Sequence, residues 1–527
     1  MSHSLGPSAH VDTFTRDNLP DAALWPEFRF DLPELRYPQR LNCADALLDA
    51  TIARHGADRA CLLSDTEEWS YGELVARANA VANVLVDDFG LVPGNRVLLR
   101  GPNTPSMVAC WFAVLKAGCV VVTTMPLLKE AELRVIGEIA HIDLSITDDR
   151  FAADLAAADI ARLLTLSELD DRHRKASQAF ASVDTSSDDV ALLAFTSGTT
   201  GRPKATMHFH RDVLANADTF SLHVLKPRAD DLFCCSPPLG FTFGLGMEVV
   251  FPLRVGASSL LLEKGTPDIL LPTVAERRAT VIATAPTAYR AMRSALSTQE
   301  FDLSGLRRCV SAGEPLPKAT WEEWKTATGI SLIDGIGATE MLHIFISAAD
   351  GDIRPGSTGR AVPGFQATIL DDDGEELPAD SLGRLAVKGP TGCRYLADER
   401  QADYVHNGWN ITGDAYVRDA DGYFWYHSRN DDMIISAGFN ISGAEVEQAL
   451  LGHPGVAECA VVGVPDAERT MTVKACVVRR PDSNVDADAL IAHCRDTIAV
   501  YKRPRVVEFL DALPRTSTGK VQRFKLR

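Results

Sequence analysis

From about residue 95 the chain alternates short β-branched and aliphatic runs with stretches of helical periodicity. Arg96-Val97-Leu98-Leu99 predicts a strand. Thr104-Pro105 then opens a helix, with the threonine as N-cap and the proline at the first helical position, where a missing N–H costs nothing. The helical pattern runs to Lys116 and stops at Gly118, a residue free to take the left-handed conformation that closes helices. Residues 119–124 form a β-branched run that predicts the next buried strand. Similar runs recur at 190–195, 281–285, 306–310 and 331–333. Such strand–helix–strand alternation predicts an α/β fold of largely parallel, helix-covered sheets.

The pattern changes near residues 430–440. Ser442-Gly443-Ala444-Glu445 has capping-box spacing and predicts a helix through Leu450. Strand-like runs follow at 457–464, 473–478 and 506–509, with a helical pattern at 487–494 between them. This reads as a small α+β unit of roughly a hundred residues. The boundary is placed at Asp431-Asp432, giving a large N-terminal domain over 1–430 and a small C-terminal domain over 431–527.

Composition supports several domains, since 527 residues exceed one ordinary core. With 53 basic against 71 acidic residues the net charge is −18, which argues against broad electrostatic binding to nucleic acid or anionic membrane. A few placed cations and backbone N–H groups can still hold phosphate locally. The most apolar stretch, 107–125, is broken by Lys116, Gly118 and two threonines, so a buried helix–strand pair is expected rather than a membrane span. The first twenty residues are polar and hold no apolar targeting core. The eleven cysteines contain no CxxC pair, and their odd count fits reduced thiols. A cytoplasmic protein is expected, with neither nucleic acid nor a membrane as partner; a homodimer stays open.

The most informative segment is Thr196-Ser197-Gly198-Thr199-Thr200-Gly201-Arg202-Pro203-Lys204, directly after an apolar strand. Its glycines let the backbone turn tightly and approach a ligand. Its hydroxyls and N–H groups can surround phosphate oxygens, and Lys204 adds charge. It lacks the GxxxxGK[ST] order of a Walker A loop. An ordinary Ser/Thr/Gly surface loop is the plain alternative.

The nonapeptide resembles the phosphate-binding signature of the adenylate-forming superfamily, which holds acyl-CoA synthetases, luciferases and peptide-synthetase adenylation domains. Further motifs follow in that family's order. Ile336-Gly337-Ala338-Thr339-Glu340, after Asp334-Gly335, resembles the aromatic-Gly-x-Thr-Glu motif. The resemblance implies that Thr339 contacts the adenylate phosphate and that Glu340 carries Mg²⁺, in keeping with a hard cation's preference for oxygen. Ile336 stands where the family has an aromatic, so no adenine-stacking ring carries over to this position. Gly313-Glu314-Pro315 resembles the adenine-side loop. Asp414, in Thr412-Gly413-Asp414, matches the ribose-binding carboxylate, and Arg429 matches the arginine that joins it. Lys520, in Pro514-Arg515-Thr516-Ser517-Thr518-Gly519-Lys520, matches the lysine of the adenylation step. Alone, Thr-Gly-Asp reads as a turn and Lys520 as a solvated lysine; the joint order gives them weight.

The resemblance spans roughly residue 40 to the end and implies a two-step ligase using ATP, Mg²⁺ and coenzyme A. A carboxylate attacks the ATP α-phosphate, then the CoA thiol displaces AMP. The C-terminal domain rotates between the steps about a hinge that maps to Asp431. Gly438-Phe439-Asn440 matches the loop lining the CoA tunnel. For the acid, Phe241, Thr242 and Phe243, with Gly337, Ala338, His343 and Ile344, resemble the pocket segments of benzoate-type ligases, and flat Phe side chains suit an aromatic ring. The stretches Trp25-Pro26-Glu27-Phe28 and Leu41-Asn42-Cys43 look most like 2-aminobenzoate (anthranilate)–CoA ligases. Anthranilate is therefore the expected small aromatic acid, with benzoate as runner-up. His343 is the candidate polar contact, against the plainer reading of a core histidine. Transfer to a carrier-protein thiol and a non-catalytic nucleotide sensor are the competing readings.

Overall fold

A computed structural model describes every residue except 1–4, 197–201, 430–431, 437–438, 467–469, 499 and 516–520. Two large sheets dominate the N-terminal domain. The six-stranded sheet runs, in spatial order, Arg162–Thr165, Leu144–Thr147, Arg96–Arg100, Val120–Thr124, Val190–Thr196 and Lys204–Phe209. All its neighbours pair in parallel except the last two strands, which form an antiparallel hairpin with Thr196 opposite Lys204. The nine-stranded sheet is parallel from Leu332–Gly337 through Arg308–Ser311, Val281–Thr284, Leu232–Cys235 and Ser258–Leu260 to Ala60–Leu63. Antiparallel strands close both of its edges.

The helix Pro105–Lys116 starts as its sequence dictates, with the Thr104 side chain accepting from the Met107 N–H. It is apolar on nearly every face because it packs into the core cluster shared by both large sheets. Its one charge, Lys116, is buried and ion-paired with Asp45 and Asp49. The apolar stretch 107–125 is thus the expected helix and strand, and no helix among the described residues is long and apolar enough to cross a membrane.

Residues 366–429 depart from the parallel plan. They form a five-stranded, wholly antiparallel sheet that includes Trp409–Arg418 and Phe424–Arg429. Every strand in it pairs antiparallel with its neighbours, so no parallel crossover is needed. The smaller C-terminal domain pairs Val456–Asp466 with Thr470–Arg479, adds Val506–Phe509 in parallel, and packs Gly443–Leu451 and Ala487–Thr497 on a separate core cluster. Only half of the expected capping box forms. Ser442 accepts from the Glu445 N–H, but the Glu445 carboxylate turns to Lys502, a charged partner worth more than a backbone amide.

Candidate active site

Three of the expected motifs sit at the carboxyl ends of the strands Val190–Thr196, Arg308–Ser311 and Leu332–Gly337, the end at which α/β sheets usually take ligands. Ser311 and Asp334 are register partners on adjacent strands, and each strand leads directly into one of the motifs. Gly313 has φ +89°, a left-handed turn that suits glycine, and it aims Glu314 across the crevice. The Thr287 hydroxyl donates to Glu314 Oε2 at 2.5 Å, while Arg515 of the C-terminal domain lies 3.4 Å from Oε1. Arg515 also pairs with Glu458 at 2.8 Å, so one guanidinium joins the two domains beside this loop.

Asp334 is half-buried, and the desolvation of its carboxyl pushes it up to about 8. Gly337 is required by packing, because a Cβ there would lie 2.7 Å from the His343 carbonyl oxygen. The chain then makes a single 3₁₀ turn, Thr339–Met341, and reverses at Leu342, whose φ of +69° is strained for a bulky residue. That reversal separates Glu340 from His343, which lie on either side of it.

Glu340 is only 8% exposed, and the Tyr395 hydroxyl donates to its Oε1 at 2.5 Å. His208 Nε2 donates to the Thr339 carbonyl at 2.8 Å, and Thr391 Oγ1 donates to that of Met341, also at 2.8 Å. Three side chains from distant segments therefore fix three consecutive residues. Behind them Arg394 and Asp212 form a fully buried ion pair, with His208 Nδ1 4.0 Å from the same carboxylate. Burial lowers His208 to about 4 and keeps it neutral. Lys204 closes the phosphate hairpin, its ammonium 4.4 Å from the centre of the Tyr395 ring. Thr196 Oγ1 is buried with no hydrogen-bond partner, an orphan that a phosphate oxygen would satisfy. Ser197, Gly198, Thr199, Thr200 and Gly201 lie outside the described residues.

Asp414 and Arg429 face each other across the antiparallel sheet as register partners, with Nη1 3.3 Å from Oδ1. Gly413 (φ +78°) admits the arginine, which passes 3.2 Å from where a Cβ would stand. Lys520, Asp431 and Gly438 lie outside the described residues. Phe439 and Asn440 form part of the short strand Phe439–Ile441.

His343 sits among Phe220, Phe243 and Phe251, with ring centres 5.4, 5.5 and 4.6 Å away. Neither ring nitrogen makes a hydrogen bond of good geometry among the described residues, and burial lowers the imidazole to about 3, so it is neutral. Gly246 lets the ring approach, since a Cβ there would lie 2.4 Å from it. Phe243 is the expected aromatic that reaches His343. Phe241 instead caps the short helix Thr242–Leu245, and Ile344 packs over Gly335 in the core. Phe220 and Phe251 were not legible as pocket residues because both fall within helical apolar runs. Nor were Tyr395, His208, Asp212 and Arg394, which carry no motif of their own.

The chain belongs to the AMP-binding enzyme family, which matches residues 48–395, with the family's C-terminal domain matching 445–520. It is thus an adenylate-forming enzyme. It is 32% identical over 513 residues to the benzoate–CoA ligase of Thauera aromatica, covering 94% of this chain and 97% of that protein. The crystal structure of the anthranilate CoA ligase AuaEII with anthranoyl-AMP superposes with a TM-score of 0.90 at 34% identity, covering 94% of this chain and 98% of that one. ATP-bound MatB from Rhodopseudomonas palustris superposes at 0.86 with 32% identity, covering 92% and 98%.

Proposed function

We propose that the chain is an ATP-dependent aryl-acid–CoA ligase whose substrate is 2-aminobenzoate. The observation that carries the aryl reading is the box of Phe220, Phe243 and Phe251 around a buried imidazole whose nitrogens make no hydrogen bond of good geometry among the described residues. Aromatic walls suit a flat ring, and an unpaired buried polar group favours a ligand that can pair with it. The likeness to AuaEII supports the amine, while the Thauera relative keeps benzoate as the second reading.

In the first half-reaction a carboxylate oxygen of the acid attacks the ATP α-phosphorus, and the bond to the bridging oxygen of pyrophosphate breaks. The needs are alignment and charge neutralisation rather than covalent help. Lys204 and the hairpin after Thr196 hold the polyphosphate, Asp414 and Arg429 the ribose, and Gly313 and Glu314 the adenine side. Lys520 bridges the carboxylate and the α-phosphate. Mg²⁺ fits Glu340, a hard carboxylate whose second oxygen accepts no hydrogen bond among the described residues. Bound there, it offsets polyphosphate charge. In the second half-reaction the CoA sulfur attacks the acyl carbon, AMP leaves with the bonding pair, and the thiol proton passes to solvent. The C-terminal domain turns about Asp431 between the halves and brings Gly438, Phe439 and Asn440 to the CoA path.

The test is kcat/KM for anthranilate, benzoate and 2-fluorobenzoate, with the CoA products identified by mass. A pocket that hydrogen-bonds the ortho amine rejects both analogues strongly, by about a hundred-fold or more, because its polar group is left unpaired. Equal use of all three acids would remove the amine contact and leave the benzoate reading. Absence of any aryl-CoA product would overturn both.

A further inference from the structure

Tyr395 touches both charged groups that flank the proposed polyphosphate site. Its hydroxyl donates to Glu340 Oε1 at 2.5 Å, and its ring lies under the Lys204 ammonium, 4.4 Å from the ring centre. The tyrosine is fully buried. The Glu340 carboxylate accepts from its hydroxyl, and the buried Cys393 thiol lies beside the same hydroxyl.

The phenol is placed by bonds that do not involve its hydroxyl. Its own N–H donates to Gln401 Oε1 at 2.8 Å. Its neighbours are stitched to the phosphate hairpin, with the Met207 N–H donating to the Arg394 carbonyl at 2.7 Å and the Leu396 N–H to the Ala205 carbonyl at 2.9 Å. Arg394 is anchored on its other side by Asp212. The hydroxyl is therefore held in position before any ligand arrives, which is the condition for a preorganised site.

No Lys204–Glu340 ion pair exists among the described residues; Tyr395 contacts both, the ammonium at its ring and the carboxylate at its hydroxyl. One oxygen of Glu340 is committed to the phenol, and the other remains for a cation.

We propose that Tyr395 is a positioning residue for the metal-bearing carboxylate. It fixes the rotamer of Glu340 through one hydrogen bond and keeps Lys204 apart from it, so that the two charges meet the nucleotide rather than each other. The inference rests on the reading of Glu340 as the Mg²⁺ ligand. Partners that orient a ligating carboxylate typically affect metal affinity ten- to a hundred-fold when removed.

The variant Tyr395→Phe keeps the ring and the volume and removes only the donor. Mn²⁺ affinity is read by electron paramagnetic resonance on the full-length enzyme with α,β-methylene-ATP, alongside the Mg²⁺ dependence of acid-dependent pyrophosphate exchange. The expected result is Mn²⁺ binding weakened about ten-fold and a matching rise in the Mg²⁺ half-saturation. The KM for the aryl acid and thioester formation from supplied aryl-adenylate, a step with no polyphosphate to neutralise, should stay within two-fold. Unchanged Mn²⁺ affinity in Tyr395→Phe, with weakened affinity in Glu340→Gln, overturns the role of Tyr395 alone. Unchanged affinity in Glu340→Gln overturns the reading of Glu340 itself. Equal loss of both half-reactions, or loss of the folded circular dichroism spectrum, also overturns the proposal, because it would assign Tyr395 to general packing.

Discussion

Replacing Arg394 by methionine should destabilise the N-terminal domain more than any exposed charge deletion, and replacing Asp212 as well should restore most of the loss. Both side chains are wholly shielded from solvent and pair with each other. The guanidinium is further enclosed by aromatic faces, 3.9 Å from the centre of Phe209 and 4.7 Å from that of Phe28. Methionine fills a similar volume, so the dominant effect is a buried carboxylate left with only the more distant Arg211, 3.9 Å away. Breaking such a pair costs about 3–5 kcal/mol, and the lost cation–π contact adds roughly 0.5–2 kcal/mol. In Arg394→Met/Asp212→Leu the pair is removed as a unit while Arg211 keeps its ion pair with Asp188, and apolar replacements of buried pairs are often neutral. One cost persists, because Asp212 also accepts from the Phe209 N–H at the start of the helix His210–Asn216, a cap worth about 1 kcal/mol. Urea unfolding of the single and double variants, compared at equal slope, gives the coupling energy. A single variant within about 1 kcal/mol of the parent, or a double variant no more stable than the single, would refute the reasoning.

Two further predictions concern domain movement and pH. Lys520→Ala should slow acid-dependent pyrophosphate release while sparing thioester formation from supplied aryl-adenylate, and Asp431→Pro should show the opposite split; equal loss of both halves in either variant would sink the corresponding assignment. Asp334, with its carboxyl pushed up to about 8 against an ordinary unfolded value near 4, keeps a proton in the folded state that the unfolded chain has lost over that window. Its contribution is full below the unfolded value and is lost as pH rises through 8, so stability should fall from pH 5.5 to pH 8. Asp334→Asn, which mimics the protonated form, should flatten that fall in the melting temperature, and an unchanged slope would count against it.

The parts of the site that sequence reveals are those where one contiguous stretch does the whole job. A Ser/Thr/Gly-rich segment with the composition of a phosphate loop, a glycine that must approach a carbonyl and a helix opened by Thr104-Pro105 each carry their cause within a few residues. The antiparallel sheet of 366–429 was less legible because its strands mix exposed with buried positions, as in Gln366–Leu370. The clamp around Thr339 and Glu340 was illegible for a different reason. His208, Thr391 and Tyr395 are ordinary residues until strand register brings them to one turn from 131, 50 and 55 positions away. Phe220 and Phe251 were hidden likewise, since a core helix and a pocket wall place phenylalanine at the same spacing. The residues proposed to contact nucleotide are thus confined to short motifs, while those that hold the motifs still are spread along the chain. Reading the former from sequence says what chemistry is available; only the register between sheets says how rigidly it is held. That division explains why Tyr395, with no motif of its own, is where the chemistry of Glu340 becomes testable apart from Glu340 itself.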